Sequence, residues 1–144
     1  MKIENHVNLE FPSRSANEGF ARAAAACFAA QLDPTLEEVN DVKTAVSEAV
    51  TNAVIHGYKG EAGTIYMDIT AQSGEETSLT VCVRDAGIGI PDVKQAMEPM
   101  YTTDTSGERS GMGFSFMEAF MDQVQVESEP GRGTLVTMKK FIGR

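Results

Sequence analysis

The chain has 144 residues, 23% of them charged, and a net charge of −9, which fits one compact acidic domain spanning residues 1–144 with a core of its own. So negative a chain is expected to bind no nucleic acid directly, since a duplex binder needs a basic face for the phosphates. No apolar run nears membrane-spanning length and the N-terminus lacks a signal-peptide core, so a cytoplasmic protein without membrane contact is expected, with Cys27 and Cys82 as small buried hydrophobes in a reducing compartment.

Val7, Leu9 and Phe11 alternate with polar residues and predict a first strand closed by Pro12. From about Ser15 the period turns helical, with Phe20, Ala23, Ala24, Cys27 and Phe28 at helical spacings, until Asp33 and Pro34 break it. Thr35 followed by Glu38 has the pattern of a capping box. It predicts a second, long helix to about His56, ended by Gly57, which can take the left-handed conformation.

Two alternating strands follow, carried by Ile65, Met67 and Ile69 and by Leu79, Val81 and Val83, with a polar turn around Gly74. Pro91 opens a short helix to about Met97. The stretch from Glu98 to Ser110 has little periodicity and reads as a mobile loop able to act as a lid. A helix from Gly111 to about Phe120 keeps Phe114, Met117 and Met121 on one side. Val124 and Val126 mark a strand, Glu129 to Gly133 a turn, and Leu135 to Met138 the closing strand. The order β-α-α-β-β-α-α-β-β predicts an α/β two-layer sandwich, a mixed and mostly antiparallel sheet with helices on one face.

Three segments carry chemistry. Glu48, Asn52 and His56 are four apart and form one stripe on the second long helix, beside an apolar stripe of Val42, Ala45, Val46, Ala49 and Ala53. A carboxylate bordered by apolar surface is partly desolvated, which suits it to take a proton, and Asn52 offers a neutral oxygen of the kind Mg²⁺ accepts. Alone, such a pair more often means a solvated helix surface; His56 reads as a helix-end residue.

Asp85 ends a core strand, where a carboxylate can accept a hydrogen bond from an exocyclic amine such as that of adenine. Gly87 and Gly89 let backbone pass close to a flat base. Gly111 and Gly113 stand at a helix start, where free amides suit phosphate oxygens, and Arg109 just before them can set a positive charge on a terminal phosphate. No Walker-type G-x-x-x-x-G-K-[ST] segment is present.

Taken in order, these segments resemble the boxes of the Bergerat-fold ATPase family, which includes DNA gyrase B, heat-shock protein 90, histidine kinases and the MutL repair proteins. Glu48 to Asn52 match the N box, Asp85 to Gly89 the first glycine box and Gly107 to Gly113 the second. Gly133 and Thr134 resemble its last element. The ATP-binding module would span about 36–140, with the strand and helix of 1–35 left for dimer and partner contacts. Within the family, the words from Ser47 to Tyr58 and from Glu108 to Phe114 are similar to the anti-sigma factors with serine-kinase activity, the sporulation member foremost and the general-stress switch kinases as the alternative.

The resemblance implies a homodimer that uses ATP or ADP with Mg²⁺. It would hold a sigma factor of RNA polymerase and phosphorylate a serine of an anti-anti-sigma protein. By position it makes Glu48 the base and Asn52 the Mg²⁺ ligand, with Asp85 reading adenine between Gly87 and Gly89. Arg109, Gly111 and Gly113 would hold phosphates, Thr134 would support Asp85, and Arg14, Glu18 and Arg22 would meet protein partners. A histidine kinase would need a separate phosphoacceptor hairpin and a gyrase-like ATPase a transducer domain, and 144 residues leave room for neither. A binding module that moves no phosphate is the remaining rival, and it would have no use for Glu48.

Overall fold

The computed structural model describes residues 2–98 and 113–144. The elements run β1 (Glu4–Pro12), α1 (Ala16–Ala29), α2 (Leu36–Asn52), β2 (Thr64–Gln72), β3 (Ser78–Asp85), α3 (Val93–Ala96), α4 (Gly113–Phe120), β4 (Gln123–Glu129) and β5 (Gly133–Phe141). The order anticipated from hydrophobic periodicity is the order found. The five strands form one sheet, β1-β2-β3-β5-β4. Every pairing is antiparallel, so the sheet expected to be mixed and mostly antiparallel has no parallel pair among its described strands.

Register explains the core. Val7, Ile69, Val81, Met138 and Val124 share one rung across the sheet, and Leu9, Met67, Val83, Val136 and Val126 another. Alternation turns these side chains to the helix layer, where Met67, Ile69, Val81 and Met138 are fully buried. Helix α2 lies between α1 and α4 over this face. It buries the stripe read from its sequence, Val42, Ala45, Val46 and Ala49, with Val50 beside it; Ala53, the last of that stripe, is buried just past its end, and Met117 and Met121 of α4 close the core.

Helix α2 begins with the anticipated capping box: the Thr35 hydroxyl accepts from the Glu38 amide at 3.1 Å and Glu38 Oε1 accepts from the Thr35 amide at 2.8 Å. The second Glu38 oxygen accepts from the Gly143 amide at 2.8 Å, tying the end of the chain to this helix. Lys140 makes a second tie, donating to Asp41 at 3.1 Å and to the Phe120 carbonyl at the end of α4 at 2.7 Å. The short helix α3 starts at Val93 rather than Pro91, because Asp92 caps it by accepting from the Gln95 amide at 3.0 Å.

Helix α1 corrects one expectation. Its buried stripe is Ala21, Ala25 and Ala29, and Cys27 is exposed while Cys82 is half-buried. Positions 21, 25 and 29 share a face and 27 lies across the helix from them. Small alanines let α1 lie close against its neighbours, leaving Phe20 with its edge on the Phe11 ring, 6.3 Å between centroids, and 53% exposed.

Candidate functional site

One rung of the sheet breaks the apolar pattern. Phe11, Ile65, Asp85, Thr134 and Ser128 are aligned across the five strands, so the helix-facing side turns polar from β3 onward. Asp85 is 6% exposed. Its Oδ1 accepts from the Gly87 amide at 2.9 Å, and the Thr134 backbone amide donates to the same carboxyl. Burial pushes Asp85 above its ordinary 3.8, and the two amides only partly offset that. The carboxylate keeps acceptor capacity beyond these two bonds, the state in which it could receive an amine.

The loop after Asp85 is held closely on both sides. A Cβ at Gly87 would overlap the Gly57 carbonyl, and one at Gly89, where φ is +77°, would overlap the Glu129 carbonyl. The Ile88 amide donates to Gly57 at 2.9 Å and the Ile88 carbonyl accepts from Gly131 at 2.7 Å. Ser128 completes the clamp: its Oγ accepts from the Ile90 amide at 2.7 Å and donates to the Gly133 carbonyl at 2.9 Å. With that proton spent, the Thr134 hydroxyl, 2.8 Å away, donates to Ser128. Thr134 therefore holds Asp85 through its amide and the clamp through its hydroxyl.

The other wall comes from the end of α2. Beyond Asn52 the helix widens into a π turn, Ala53–Gly57, with the Tyr58 amide donating to Ala53 at 2.9 Å. Such insertions are frequent at functional sites, and this one brings Gly57 against Asp85. Tyr58 then acts as a strut: its hydroxyl donates to the Thr64 carbonyl and accepts from the Ala86 amide at 2.7 Å. Neither Tyr58 nor Ser128 stands out in the sequence. Each works through partners far along the chain, and only the polar Ser128 opposite Thr134 in a hairpin could have hinted at it.

Glu48 and Asn52 lie on the same helix, both half-buried. At 1.5 Å per residue, Glu48 is roughly 13 Å and Asn52 roughly 7 Å along the axis from Gly57. The helix thus runs from the Asp85 pocket past the carboxamide to the carboxylate. Among the described residues no group of three or more His, Cys, Asp or Glu could hold a metal ion. Asn52 offers a neutral oxygen of the kind Mg²⁺ accepts alongside phosphate oxygens and water.

Of the remaining sequence candidates, Glu18 and Arg22 come together as an ion pair at 3.6 Å on α1 and share a groove with Glu48. Arg14 is exposed in the turn between β1 and α1, apart from that groove. Gly113 begins α4. Arg109, Gly111 and the loop from residue 99 to Ser110 lie outside the described residues.

The family model described as a histidine kinase-like ATPase domain matches residues 11–140. The chain is 52% identical to the anti-sigma F factor of a Thermoanaerobacter species, over 99% of this chain and 98% of that protein. It is 54% identical to the anti-sigma F factor of Clostridium acetobutylicum, over 96% and 94%, and 57% identical to that of Pasteuria penetrans, over 96% and 91%. The chain belongs to the anti-sigma F factor family. Solved structures agree on the fold. The RsbU and RsbW domains of Rv1364c from Mycobacterium tuberculosis match with a TM-score of 0.67 at 19% identity, over 96% of this chain and 32% of that one. The catalytic domain of the histidine kinase ThkA matches with a TM-score of 0.53 at 16% identity, over 94% and 96%. In this anti-sigma F factor family member, the matched region takes in Glu48, Asn52, Asp85 and Thr134.

Proposed function

We propose that this protein is an ATP-dependent anti-sigma factor with two outputs: it sequesters a sporulation sigma factor of RNA polymerase, and it phosphorylates a serine of the opposing anti-anti-sigma protein. The observation that carries the reading is the polar rung of Asp85, Thr134 and Ser128 closed by Gly57, in a chain akin over nearly its whole length to anti-sigma F factors.

In this reading the Asp85 carboxylate accepts from the adenine amino group, while Gly57, Gly87 and Gly89 let the surrounding backbone close up and hold that carboxylate in place. The rest of the nucleotide extends along α2, past Asn52 toward Glu48, with Arg109, Gly111 and Gly113 serving its phosphates. Mg²⁺, where bound, would be held by Asn52 and would supply charge neutralisation at the phosphate oxygens. Glu48 takes the proton of the acceptor serine as its oxygen bonds to the terminal phosphorus, and the bond to ADP breaks. Phosphoryl transfer asks little more of a protein than such positioning and charge balance.

The chain acts in the cytoplasm as a homodimer, for which β1, an edge strand, offers an open rim. Among the described residues no helix is long and apolar enough to cross a membrane. Incubation with labelled ATP and an anti-anti-sigma protein tests the kinase output; label that stays off the acceptor serine would leave only an ATP-gated sigma binder. A pull-down with Mg·ATP from sporulating cells tests the partners, and retention of neither a sigma factor nor an anti-anti-sigma protein would remove the reading.

A further inference from the structure

Strands β2 and β3 pair without a break from Gln72 opposite Ser78 to Ile65 opposite Asp85. Continuing that register sets Thr64 opposite Ala86, where the next ladder bond would run from the Ala86 amide to the Thr64 carbonyl. The Tyr58 hydroxyl stands in its place, accepting from the Ala86 amide at 2.7 Å and donating to the Thr64 carbonyl. One oxygen reaches both groups, so they point at each other across the gap, as in the narrow, hydrogen-bonded type of rung. A direct amide–carbonyl bond spans about 2.9 Å, and two bonds in series hold the strands further apart than that.

The hydroxyl is fixed from behind. The Tyr58 amide closes the π turn on Ala53 at 2.9 Å, and the Tyr58 ring lies against Gly63, where a Cβ would overlap it. Gly63 is itself tied down, its carbonyl accepting from the Ser13 amide at 2.9 Å. Just past the interrupted rung, the Gly87 amide turns back to the Asp85 carboxylate at 2.9 Å.

We infer that Tyr58 is a positioning residue of the nucleotide site: its hydroxyl is a wedge that stops the β2–β3 ladder at Asp85 and so frees the next residues to fold over the carboxylate. The inference rests on the adenine reading of Asp85 above and names what fixes the geometry of that contact. Without the hydroxyl the open rung closes. The Ala86 amide moves to the Thr64 carbonyl, β3 gains a residue, and the Gly87 amide is drawn away from Asp85. The fold loses little, since a backbone bond replaces the two made through the side chain. The site loses the set position of its acceptor. Glu48 and Asn52 lie on the regular part of α2, ahead of the π turn, so the loss falls on nucleotide affinity rather than on transfer.

The test is Tyr58→Phe, which keeps the ring. Calorimetry should give a Kd for ADP raised about five- to tenfold, with the urea midpoint close to the parental one. In phosphate transfer the KM for ATP should rise by a similar factor while kcat stays within about twofold, the mark of binding lost equally from ground and transition states. A crystal structure of the variant should have the Ala86 amide on the Thr64 carbonyl. Gly63→Ala, which displaces the ring and keeps the hydroxyl, should also raise the Kd for ADP. Parental ADP affinity in either variant overturns the proposal, as does a variant structure in which Ala86 and the bond from Gly87 to Asp85 stay in place. A Tyr58→Phe chain that fails to fold, or loses stability along with affinity, makes Tyr58 a structural residue and overturns it too. A fall in kcat at unchanged KM would assign Tyr58 to the chemistry instead, with the same result. ADP binding and the variant structure need no transfer: a parent that binds ADP but moves no phosphate removes the kinase reading while the Kd comparison still decides Tyr58. A parent that binds no ADP overturns both.

Discussion

Gly57 faces the Asp85 carboxyl so closely that a Cβ on it would stand 2.8 Å from the Asp85 Cγ. The end of α2 and the end of β3 therefore meet with no side chain between them, and Asp85 cannot swing away without losing its bonds to the Gly87 and Thr134 amides. Gly57→Ala should displace the carboxyl, lower ADP affinity at least about tenfold and cost about 1–3 kcal/mol of stability, the usual penalty for overpacking. Calorimetry with ADP and urea unfolding measure the two effects; unchanged ADP binding would show that the base does not seat against Asp85.

Acidity should report the same contact. Burial raises Asp85 above 3.8, so the folded chain binds this proton more readily than the unfolded one. The cost of ionised Asp85 to stability is therefore full above its folded value and is relieved as pH falls through that value toward 3.8. An adenine amine needs the ionised form as acceptor. ADP affinity should decline on acidification, beginning at higher pH than an ordinary aspartate would give. Asp85→Asn should bind ADP weakly and with no such decline. An identical acid profile in parent and variant would assign the decline to another group.

For Glu48 the measurement is single-turnover transfer. Glu48→Gln should leave ADP binding intact and slow transfer to the acceptor serine by about 10²–10⁴-fold, the customary contribution of a general base. Transfer at the parental rate would take the proton-accepting role from Glu48.

Glu38 makes the opposite pH prediction from Asp85. Burial pushes it up, but the amides of Thr35 and Gly143, the Thr35 hydroxyl and Lys140 outweigh that and hold its carboxyl below 4.5. Its contribution to stability is present above 4.5 and is lost as pH falls through its depressed folded value. Glu38→Gln should cost about 1 kcal/mol at neutral pH, as capping losses do, and should flatten the acid limb of stability followed by urea unfolding. An acid limb of parental slope would point to other carboxylates.

Much of the fold was legible because its signals are local. The capping box of Thr35 and Glu38, the apolar stripe of α2 and the alternation in β2 and β3 each depend on residues within a turn or two of one another. Helix α1 was harder. Its Phe20 and Cys27 are more apolar than the alanines beside them, yet Ala21, Ala25 and Ala29 face inward, since the nearness of neighbouring elements favours small side chains over large ones. At the candidate site, Asp85, Gly87 and Gly89 could be picked out from strand-end chemistry. Tyr58 and Ser128 could not, because what they do depends on Ala86 and Ile90, brought to them by the fold.

Asp85 and Thr134 face each other on β3 and β5, interior strands of the five-stranded sheet, rather than on its margins. Edge strands fray at little cost, whereas strands paired on both sides are held more firmly. Amide deuteration should therefore reach β4, the edge strand outside the proposed dimer rim, before the Thr134 amide, and the pocket should stay formed with or without nucleotide.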